Sequence, residues 1–327
     1  MVFFRKKYIG AILYTILLIS FTLYVALDTF VISRVYTVVP SDENSGTLIS
    51  SETDPTMSVN EENADETPET IMEQDTKINF TESIVMEDNS YSDQNISITI
   101  TEYREYDTSI YAADIYISSA EYLQTAFAQN SYGRNITEKS SEIAEANNGI
   151  LAINGDYYGS QTKGYVLRNS VLYRESASDN QEDLIIRKDG SFEIIKESEI
   201  TASKLLEDGA VQVLSFGPAL VESGAVSVLE SEEVDKAKVS NPRTAIGIVD
   251  DLHYLFVVSD GRTDESEGLT LYQLAGFMQD LGVDIAYNLD GGGSSTMYFN
   301  GAIINNPTSS GKSIKERSVS DIVYIGY

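Results

Sequence analysis

Apolar and polar side chains alternate along two runs of the chain, residues 96–100 and 111–117. Alternation gives a strand one apolar face, so these runs predict an opening antiparallel pair. Two further apolar runs, residues 245–249 and 253–259, are joined by Asp250-Asp251 and predict a hairpin. Other strand-like runs cover residues 150–153, 166–172, 184–187, 192–195, 283–289, 297–304 and 319–325.

Helical spacing is confined to a few short segments of the same region. Thr270 and Gln273 form a capping box before a helix that we expect over residues 271–281. Two more helices are expected over residues 121–128 and 138–147. Few helices among many strands predict an α+β fold, with mixed β-sheets and flanking helices in a single globular domain.

An uncharged apolar run of residues 9–27 follows three basic residues near the N-terminus. Its length suits a bilayer, and the basic flank, residues 1–8, is expected to form a cytoplasmic end. A cleaved signal peptide is the alternative, but no A-x-A-like site follows the apolar core. We therefore expect a single-pass signal anchor in the cell membrane, a transmembrane helix that leaves the rest of the chain extracytoplasmic.

Acidic and small polar residues dominate the segment between the anchor and the first predicted strand. Lys77 is the only basic residue between positions 41 and 93. Such a segment buries too little apolar surface to offset its chain entropy. The sequence thus predicts an acidic low-complexity stalk over residues 28–93 and a folded domain over residues 94–327.

The charge and the cysteine content exclude several classes of function. A formal charge of −29 repels nucleic acid, so no nucleic-acid partner is expected. The chain has no cysteine, which excludes disulfide frameworks, thiolate metal sites and cysteine nucleophiles. An exported chain without disulfides suits a bacterial cell envelope. An anionic substrate would have to be bound by local arginines and main-chain N–H groups.

Polar residues directly follow four of the predicted strands. Strand ends often converge at a cleft, because rigid sheets position side chains while the loops leave room for a substrate. Arg243 and Arg262 can each bind a phosphate or carboxylate through two hydrogen bonds, with structural ion pairs as the alternative. The four segments are Asn154-Gly155-Asp156, Arg243-Thr244, Asp260-Gly261-Arg262 and Asn288-Leu289-Asp290.

Asp290 and Asp260 are the candidate catalytic residues. A carboxylate can act as nucleophile, general base or, with a raised pKa, general acid. Asp-Gly is also a common turn pair, which is the structural alternative for Asp260. The single histidine, His253, lies in a predicted strand, so a Ser-His-Asp triad fits poorly. Glycosyl chemistry, which needs only carboxylates, fits the residues better.

A glycine-rich turn follows Asp290 directly. Glycines allow main-chain N–H groups to approach an anion closely, and the serine hydroxyls add donors. A tight turn without a ligand is the alternative. A strand rather than a helix is expected after these glycines, so they are not a dinucleotide fingerprint. Gly311-Lys312-Ser313 resembles the end of a P-loop, but Asn306 stands in place of its first glycine and no helix is expected to follow. The turn consists of Gly291, Gly292, Gly293, Ser294 and Ser295.

These motifs occur in an order that resembles the phosphodiester glycosidase family. The matching segments are Ala152-Ile153-Asn154-Gly155, Ser215 to Leu220, Arg243 to Gly247, Asp260-Gly261-Arg262, Asn288 to Ser294 and Glu316-Arg317-Ser318-Val319. The resemblance covers about residues 94–327. It implies a hydrolase that cleaves a sugar from a phosphodiester at the anomeric carbon, in a cell-envelope or exopolysaccharide glycoconjugate.

The resemblance also implies roles for individual residues. Arg243 and Arg262 are expected to bind phosphate, the turn over residues 291–295 to hold the leaving group, and Asp290 with Asp260 to serve the anomeric carbon. The sugar or its phosphate is expected to be oriented by Asn154, Asn288 and Arg317.

The expectations for cofactors and partners are limited. The family pattern has a glycine where this chain has Asp156, which is a weak candidate for a metal ligand. No cofactor is expected, although a divalent cation is possible on Asp156, Asp260 and Asp290. The expected partners are a carbohydrate-phosphate substrate and the membrane, and no protein partner is predicted. A non-catalytic glycan- or anion-binding scaffold module of the cell surface is the alternative function.

Overall fold

The computed structural model describes residues 9–36, 80–231 and 240–327. Its first element is a 22-residue apolar helix, α1 (Ile9–Phe30), which extends the expected anchor by three residues. Among the described residues, it is the one helix long and apolar enough to cross a membrane. The expected cytoplasmic end, residues 1–8, lies outside the described residues.

Short strands and few helices follow α1. The other helices are α2 (Ser140–Ala146), α3 (Ala202–Glu207) and α4 (Leu271–Asp280). The strands are β1 (Arg34–Val35), β2 (Val85–Glu87), β3 (Ser90–Ser92), β4 (Ile96–Glu105), β5 (Thr108–Ile117), β6 (Leu123–Phe127), β7 (Gly133–Arg134), β8 (Gly149–Asn154), β9 (Val166–Arg168), β10 (Val171–Arg174), β11 (Glu182–Arg187), β12 (Phe192–Lys196), β13 (Ala210–Leu214), β14 (Ala219–Glu222), β15 (Ala225–Val226), β16 (Arg243–Asp250), β17 (His253–Ser259), β18 (Ile285–Leu289), β19 (Met297–Phe299), β20 (Ala302–Ile303) and β21 (Asp321–Gly326).

The strands form three larger sheets and the two-stranded pair β1-β7. The largest sheet has the order β15-β14-β18-β16-β17-β5-β4-β3-β2. The other two have the orders β20-β19-β8-β21-β6 and β10-β9-β13-β11-β12. Strands from distant parts of the chain mix within each sheet, and they pair antiparallel throughout the described residues. The predicted α+β class with a single globular domain is confirmed.

Both faces of the largest sheet are buried, because alternate residues of its central strands enter different cores. On β5, Ala113 and Ile115 pack with residues of the two five-stranded sheets. Ile110 and Ala112 instead pack on the other face, with the apolar side of α4. The site-bearing strands β16 and β18 lie within this doubly covered sheet and are therefore rigidly held.

Several sequence predictions of local structure are confirmed. Strands β4 and β5 pair antiparallel, as do β16 and β17. The capping box of α4 is present: Gln273 N donates to Thr270 Oγ1 at 3.0 Å, and Thr270 N donates to Gln273 Oε1 at 2.9 Å. These elements were predictable because residues close in sequence determine them.

Other predictions of local structure are wrong. The expected helix over residues 121–128 is mostly β6, because Leu123 and Thr125 alternate into buried positions and the strand pairs with β21. The run 166–172 contains a turn at Asn169 and Ser170, whose φ angles are 50° and 63°. Two successive residues with positive φ reverse the chain, so this run forms the hairpin β9-β10.

The folded part also begins earlier than the expected boundary at residue 94. Strands β2 and β3 belong to the largest sheet, and β1, directly after the anchor helix, pairs with β7. Asn135 Nδ2 donates to Thr29 O at 3.2 Å and to Ile32 O at 3.1 Å. The end of α1 therefore contacts the domain directly, and the remainder of the expected stalk, residues 37–79, lies outside the described residues.

Candidate active site

The predicted site residues converge because of the antiparallel order of three strands. Strand β16 pairs with β17 and β18, with Arg243 opposite Ser259 and Thr244 opposite Leu289. The start of β16 therefore lies beside the ends of its two neighbours. Asp290 follows β18 directly at this edge, so sequence positions almost fifty residues apart become neighbours.

Asn154 joins this edge to a second sheet. From the end of β8, its Nδ2 donates to Asp290 O at 2.6 Å. Its Oδ1 accepts from Thr244 Oγ1 at 2.8 Å and from Thr296 N at 3.2 Å. Asn154 is fully buried, so these contacts hold the turn after β18 in place. Its predicted contact with a sugar stays a prediction.

The Asn288 side chain also forms a hydrogen bond with the main chain. Its Nδ2 donates to Gly217 O at 2.8 Å, and the side chain is buried. This contact connects β18 to the loop before β14. These contacts do not test the expected role of Asn288 in orienting a substrate, which stays a prediction.

An open cleft of about 220 Å³ lies at the end of these strands. Three arginines and one carboxylate line it, together with the glycines of the turn. We name it the arginine cleft, and its defining residues are Arg243, Arg262, Arg317, Asp290 and residues 291–293.

Asp290 is held by Arg317, and its side chain is only 15% exposed. Arg317 Nη2 donates to Asp290 Oδ2 at 2.9 Å, and Arg317 Nε donates to Ser294 Oγ at 3.0 Å. Burial raises the pKa of Asp290, while the charge of Arg317 and the hydroxyl of Ser294 oppose that rise. A raised pKa makes the Asp290 carboxylate a stronger base than an exposed aspartate.

Arg262 lies against the glycine turn. Its Nη2 donates to Asn241 Oδ1 at 2.9 Å, and its Nη1 donates to Ser309 O at 2.7 Å. Gly292 has a φ of +61°, and a Cβ there would lie 2.6 Å from Arg262 Nη2. Glycine adopts this φ without strain and leaves room for the close approach of Arg262. Burial and the like charge of Arg317 lower the pKa of Arg262.

Arg243 completes the cationic lining from inside the sheet. It is buried, its Nε donates to Leu269 O at 2.8 Å, and its main-chain N–H donates to Ser259 Oγ at 3.0 Å. The side chain is thus oriented by a carbonyl on one side and lines the arginine cleft with its remainder.

The predicted turn residues divide into two groups. The glycines line the arginine cleft, whereas Ser295 is buried and does not. Ser294 lines a second pocket of about 30 Å³, which also borders Asp290 and Arg317. We call this second space the small pocket. Its volume is sufficient for about one water molecule.

The Asp260 carboxylate contacts different residues from those that contact Asp290. Its Oδ1 accepts from Asn306 N at 2.7 Å, and its Oδ2 accepts from Asn306 Nδ2 at 2.9 Å. Asn305 Nδ2 also donates to Oδ1 at 3.3 Å. Asp260 is buried and is absent from the lining of the arginine cleft. Its predicted catalytic role stays a prediction, and its contacts tie the loop after β20 to the end of β17.

Asp156 belongs to a buried ion cluster that sequence analysis missed. Arg168 Nη2 lies 2.7 Å from Asp156 Oδ2 and 2.9 Å from Asp321 Oδ2. Ser215 N also donates to Asp156 Oδ2 at 2.8 Å. The guanidinium occupies the position that a cation would take. Among the residues described, no three His, Asp or Glu side chains are arranged to hold a metal ion.

The sequence matches proteins of one family. The model of the phosphodiester glycosidase family matches residues 147–326. An SPbeta prophage-derived uncharacterized protein of Bacillus subtilis (strain 168) is 28% identical over 201 residues, which cover 60% of this chain and 31% of that protein. Human N-acetylglucosamine-1-phosphodiester alpha-N-acetylglucosaminidase is 29% identical over 184 residues, covering 51% of this chain and 35% of the human protein. The matches thus span about a third of the length of these relatives.

The fold matches a solved structure as well. The catalytic domain of the zebrafish N-acetylglucosamine-1-phosphodiester alpha-N-acetylglucosaminidase, auto-inhibited by its pro-peptide, aligns with a TM-score of 0.57. The match covers 71% of this chain and 83% of the zebrafish chain, at 24% identity. At that identity, the likeness shows a shared fold.

Proposed function

Since the chain belongs to the phosphodiester glycosidase family, we propose that it hydrolyses the bond between a sugar's anomeric carbon and a phosphodiester in an envelope glycopolymer. The observation that carries this proposal is the lining of the arginine cleft. One carboxylate, Asp290, lies among three guanidinium groups beside a glycine turn. This combination suits an anionic ester whose reacting carbon needs a base or nucleophile.

The electrostatics of the cleft favour an anionic ligand. The chain as a whole has a formal charge of −29, yet three arginines and one aspartate line this cleft. Arg317 and Arg262 are close enough for their like charges to lower the pKa of Arg262. A bound phosphate diester would relieve that repulsion and accept hydrogen bonds from the planar guanidinium groups.

The proposed reaction places water at the anomeric carbon. The oxygen of a water molecule attacks that carbon, and the water proton passes to the Asp290 carboxylate. The bond from the anomeric carbon to the phosphate oxygen breaks, and its electron pair stays on the departing phosphomonoester. The small pocket beside Asp290 has room for that water. A nucleophilic Asp290, attacked by water in a second step, is compatible with the same contacts.

Asp290 is the one carboxylate among the described residues that line the cleft, and one is chemically sufficient for this substrate. Ordinary glycosidases use a second carboxylic acid to protonate a poor alkoxide leaving group. A phosphomonoester leaves as a stable anion, so Arg243 and Arg262 can stabilise it without protonation. We therefore propose that Asp260 positions the loop at Asn306 and that Asp290 performs the chemistry.

We also propose that the protein works at the outer surface of a cell membrane. Helix α1 is long and apolar enough to span a bilayer, and its basic flank favours a cytoplasmic N-terminus. The contacts of Asn135 with Thr29 and Ile32 support a catalytic domain held close to the membrane. Glycopolymers of the envelope would be accessible there.

The test uses the full chain in detergent micelles, because β1 and β2 lie before the predicted domain start. Synthetic α-N-acetylglucosaminyl phosphodiesters and isolated envelope glycopolymers are incubated with it, and free sugar and phosphomonoester are quantified. Release of both products in equal amounts is expected. Binding by calorimetry without any release would instead support the scaffold function, and neither binding nor release would refute both.

A further inference from the structure

A larger pocket lies on the other side of a short turn from the small pocket. It has a volume of about 350 Å³, and aromatic rings and two arginines line it. We name it the tyrosine pocket, and its defining residues are Tyr36, Tyr132, Tyr158, Tyr173, Arg134 and Arg174. None of these residues takes part in the arginine cleft.

The aromatic rings form a continuous wall. Tyr132 stacks on Tyr158 with ring centroids 5.4 Å apart and planes inclined by 18°. Tyr173 and Tyr36 pack against Tyr132 at centroid distances of 5.0 Å and 5.8 Å. Tyr158 is buried, whereas Tyr36 is 46% exposed, so the accessible part of this wall can pack against the apolar C–H face of a sugar ring.

Each arginine of the pocket has one buried nitrogen without a hydrogen-bond partner among the described residues. These nitrogens are Arg134 Nε and Arg174 Nη2. Arg174 is held in place by donating through Nη1 to Tyr158 O at 3.1 Å and to Gln161 O at 2.8 Å. Both arginines line the pocket, so their positive charges would attract an anionic ligand bound there.

The positive charge of the pocket lining favours an anionic ligand. The chain contains 51 acidic and 22 basic residues, yet among the described residues no Asp or Glu lines this pocket. Two guanidinium groups beside a wall of tyrosines therefore suit a ligand that combines a sugar ring with a phosphate.

The position of the pocket relates it to the reaction. The turn Tyr158–Ser160 separates the two spaces: Tyr157 and Ser160 line the small pocket with Asp290, while Tyr158 and Gly159 line the tyrosine pocket. We propose that the tyrosine pocket binds a second sugar-phosphate unit of the polymer whose glycosyl-phosphate bond lies at Asp290. This inference rests on the proposed function and makes the protein selective for polymers over single esters.

The test compares two substrates with the full chain in neutral detergent. One is methyl α-N-acetylglucosaminyl phosphate, and the other is an oligomer of two such units joined by a phosphodiester. The variants are Tyr36→Ala and Arg134→Gln, since Tyr36 is 46% exposed and its truncation should leave the fold intact. The matched controls are Tyr106→Ala, at 43% exposure, and Arg104→Gln on β4, neither of which lines the pocket.

The wild-type protein should have a higher kcat/KM for the two-unit oligomer than for the single ester. Arg134→Gln removes a charge-assisted hydrogen bond to the second unit, so it should lower this ratio about tenfold or more. Tyr36→Ala should lower it less, and the controls should keep the wild-type ratio. An unchanged ratio in both pocket variants, with unchanged circular dichroism, overturns the inference.

Two further arms of the experiment distinguish failure of the pocket from failure of the reaction and from lipid binding. If neither ester is hydrolysed, the proposed function fails, and calorimetry with the two-unit oligomer still tests the pocket: binding about tenfold weaker in Arg134→Gln supports it, and equal binding overturns it. Micelles containing phosphatidylglycerol test a lipid headgroup as ligand. If that lipid abolishes the wild-type preference for the oligomer, the pocket is a lipid site and the inference is overturned.

Discussion

The Asp290–Arg317 pair and the Asp156–Arg168–Asp321 cluster contain the same chemical groups at nearly the same spacing. The nitrogen–oxygen distances are 2.9 Å in the pair and 2.7 Å and 2.9 Å in the cluster. The Arg317 side chain is 43% exposed, whereas that of Arg168 is 2% exposed. An exposed guanidinium can exchange its carboxylate for a phosphate, but a buried one would leave charges unpaired. Burial, rather than contact distance, therefore separates a pair suited to chemistry from a cluster that stabilises the fold.

The buried cluster also has more carboxyl groups than guanidinium groups. One guanidinium faces two carboxyl groups, and burial with the nearby charge of Asp156 raises the pKa of Asp321 to about 7, despite Arg168. The cluster can reach neutrality only by retaining a proton. Asp290, with one arginine and partial access to water, has no such requirement.

The largest effect is expected from Arg168→Met, which removes the guanidinium between two buried carboxyl groups. Deleting one partner of a buried ion pair typically costs about 3–5 kcal/mol, and the free energy of unfolding should fall by that amount. Urea denaturation measures this free energy of unfolding. Arg317→Met is the matched control and should cost less, because water reaches both Arg317 and Asp290. Equal losses in the two variants would contradict the comparison.

A large loss of activity without loss of stability is expected from Asp290→Asn. The substitution preserves the shape of the side chain and removes its charge, so kcat for a glycosyl phosphodiester should fall about a hundredfold or more. The urea midpoint should stay near that of the wild-type protein. Asp251→Asn, in the exposed hairpin turn, is the control with unchanged kinetics. Near wild-type turnover in Asp290→Asn would show that another carboxylate serves the anomeric carbon.

Arg243→Lys tests whether the cleft needs a planar guanidinium. Lysine keeps the charge but cannot donate two parallel hydrogen bonds, so kcat/KM for a phosphodiester should fall about tenfold. The loss should be smaller for an aryl N-acetylglucosaminide, whose leaving group carries no phosphate. Steady-state kinetics on both substrates measures the difference. Equal losses on the two, together with a lower Tm, would assign Arg243 a structural role instead.

Stability is also expected to depend on pH. Between about pH 4, the ordinary aspartate pKa, and pH 7, the folded state retains a proton on Asp321 that the unfolded state has lost. Stability from this group is therefore full below about pH 4 and is lost as pH rises towards 7, by at most about 1.4 kcal/mol per pH unit.

The measurement for this pH dependence is urea denaturation at several pH values. Asp321→Asn cannot lose the proton, so its free energy of unfolding should vary less over that pH range than that of the wild-type protein. Identical pH profiles for the two proteins would place the Asp321 pKa near its ordinary value and remove the distinction between cluster and cleft.

The sequence by itself determined the features that depend on neighbours along the chain. The capping box at Thr270 and Gln273, the hairpin of β16 and β17 and the apolar helix α1 each follow from residues a few positions apart. The ordered motifs also indicated the family, and they identified the arginines and the aspartate that line the cleft. Periodicity, capping and short motifs are local signals, and a single sequence displays them.

The packing of the sheets determines which polar residues share a site. Asp260 and Asp290 look alike in sequence, each at the end of a strand, yet the contacts of Asp260 are with Asn306 and those of Asp290 are with Arg317. The partners of Arg168 lie 12 and 153 positions away, and no sequence pattern marks them. Burial and pairing between such distant positions arise when sheets pack together, which is why the ion cluster, the strand β6 and the tyrosine pocket could not be predicted from the chain alone.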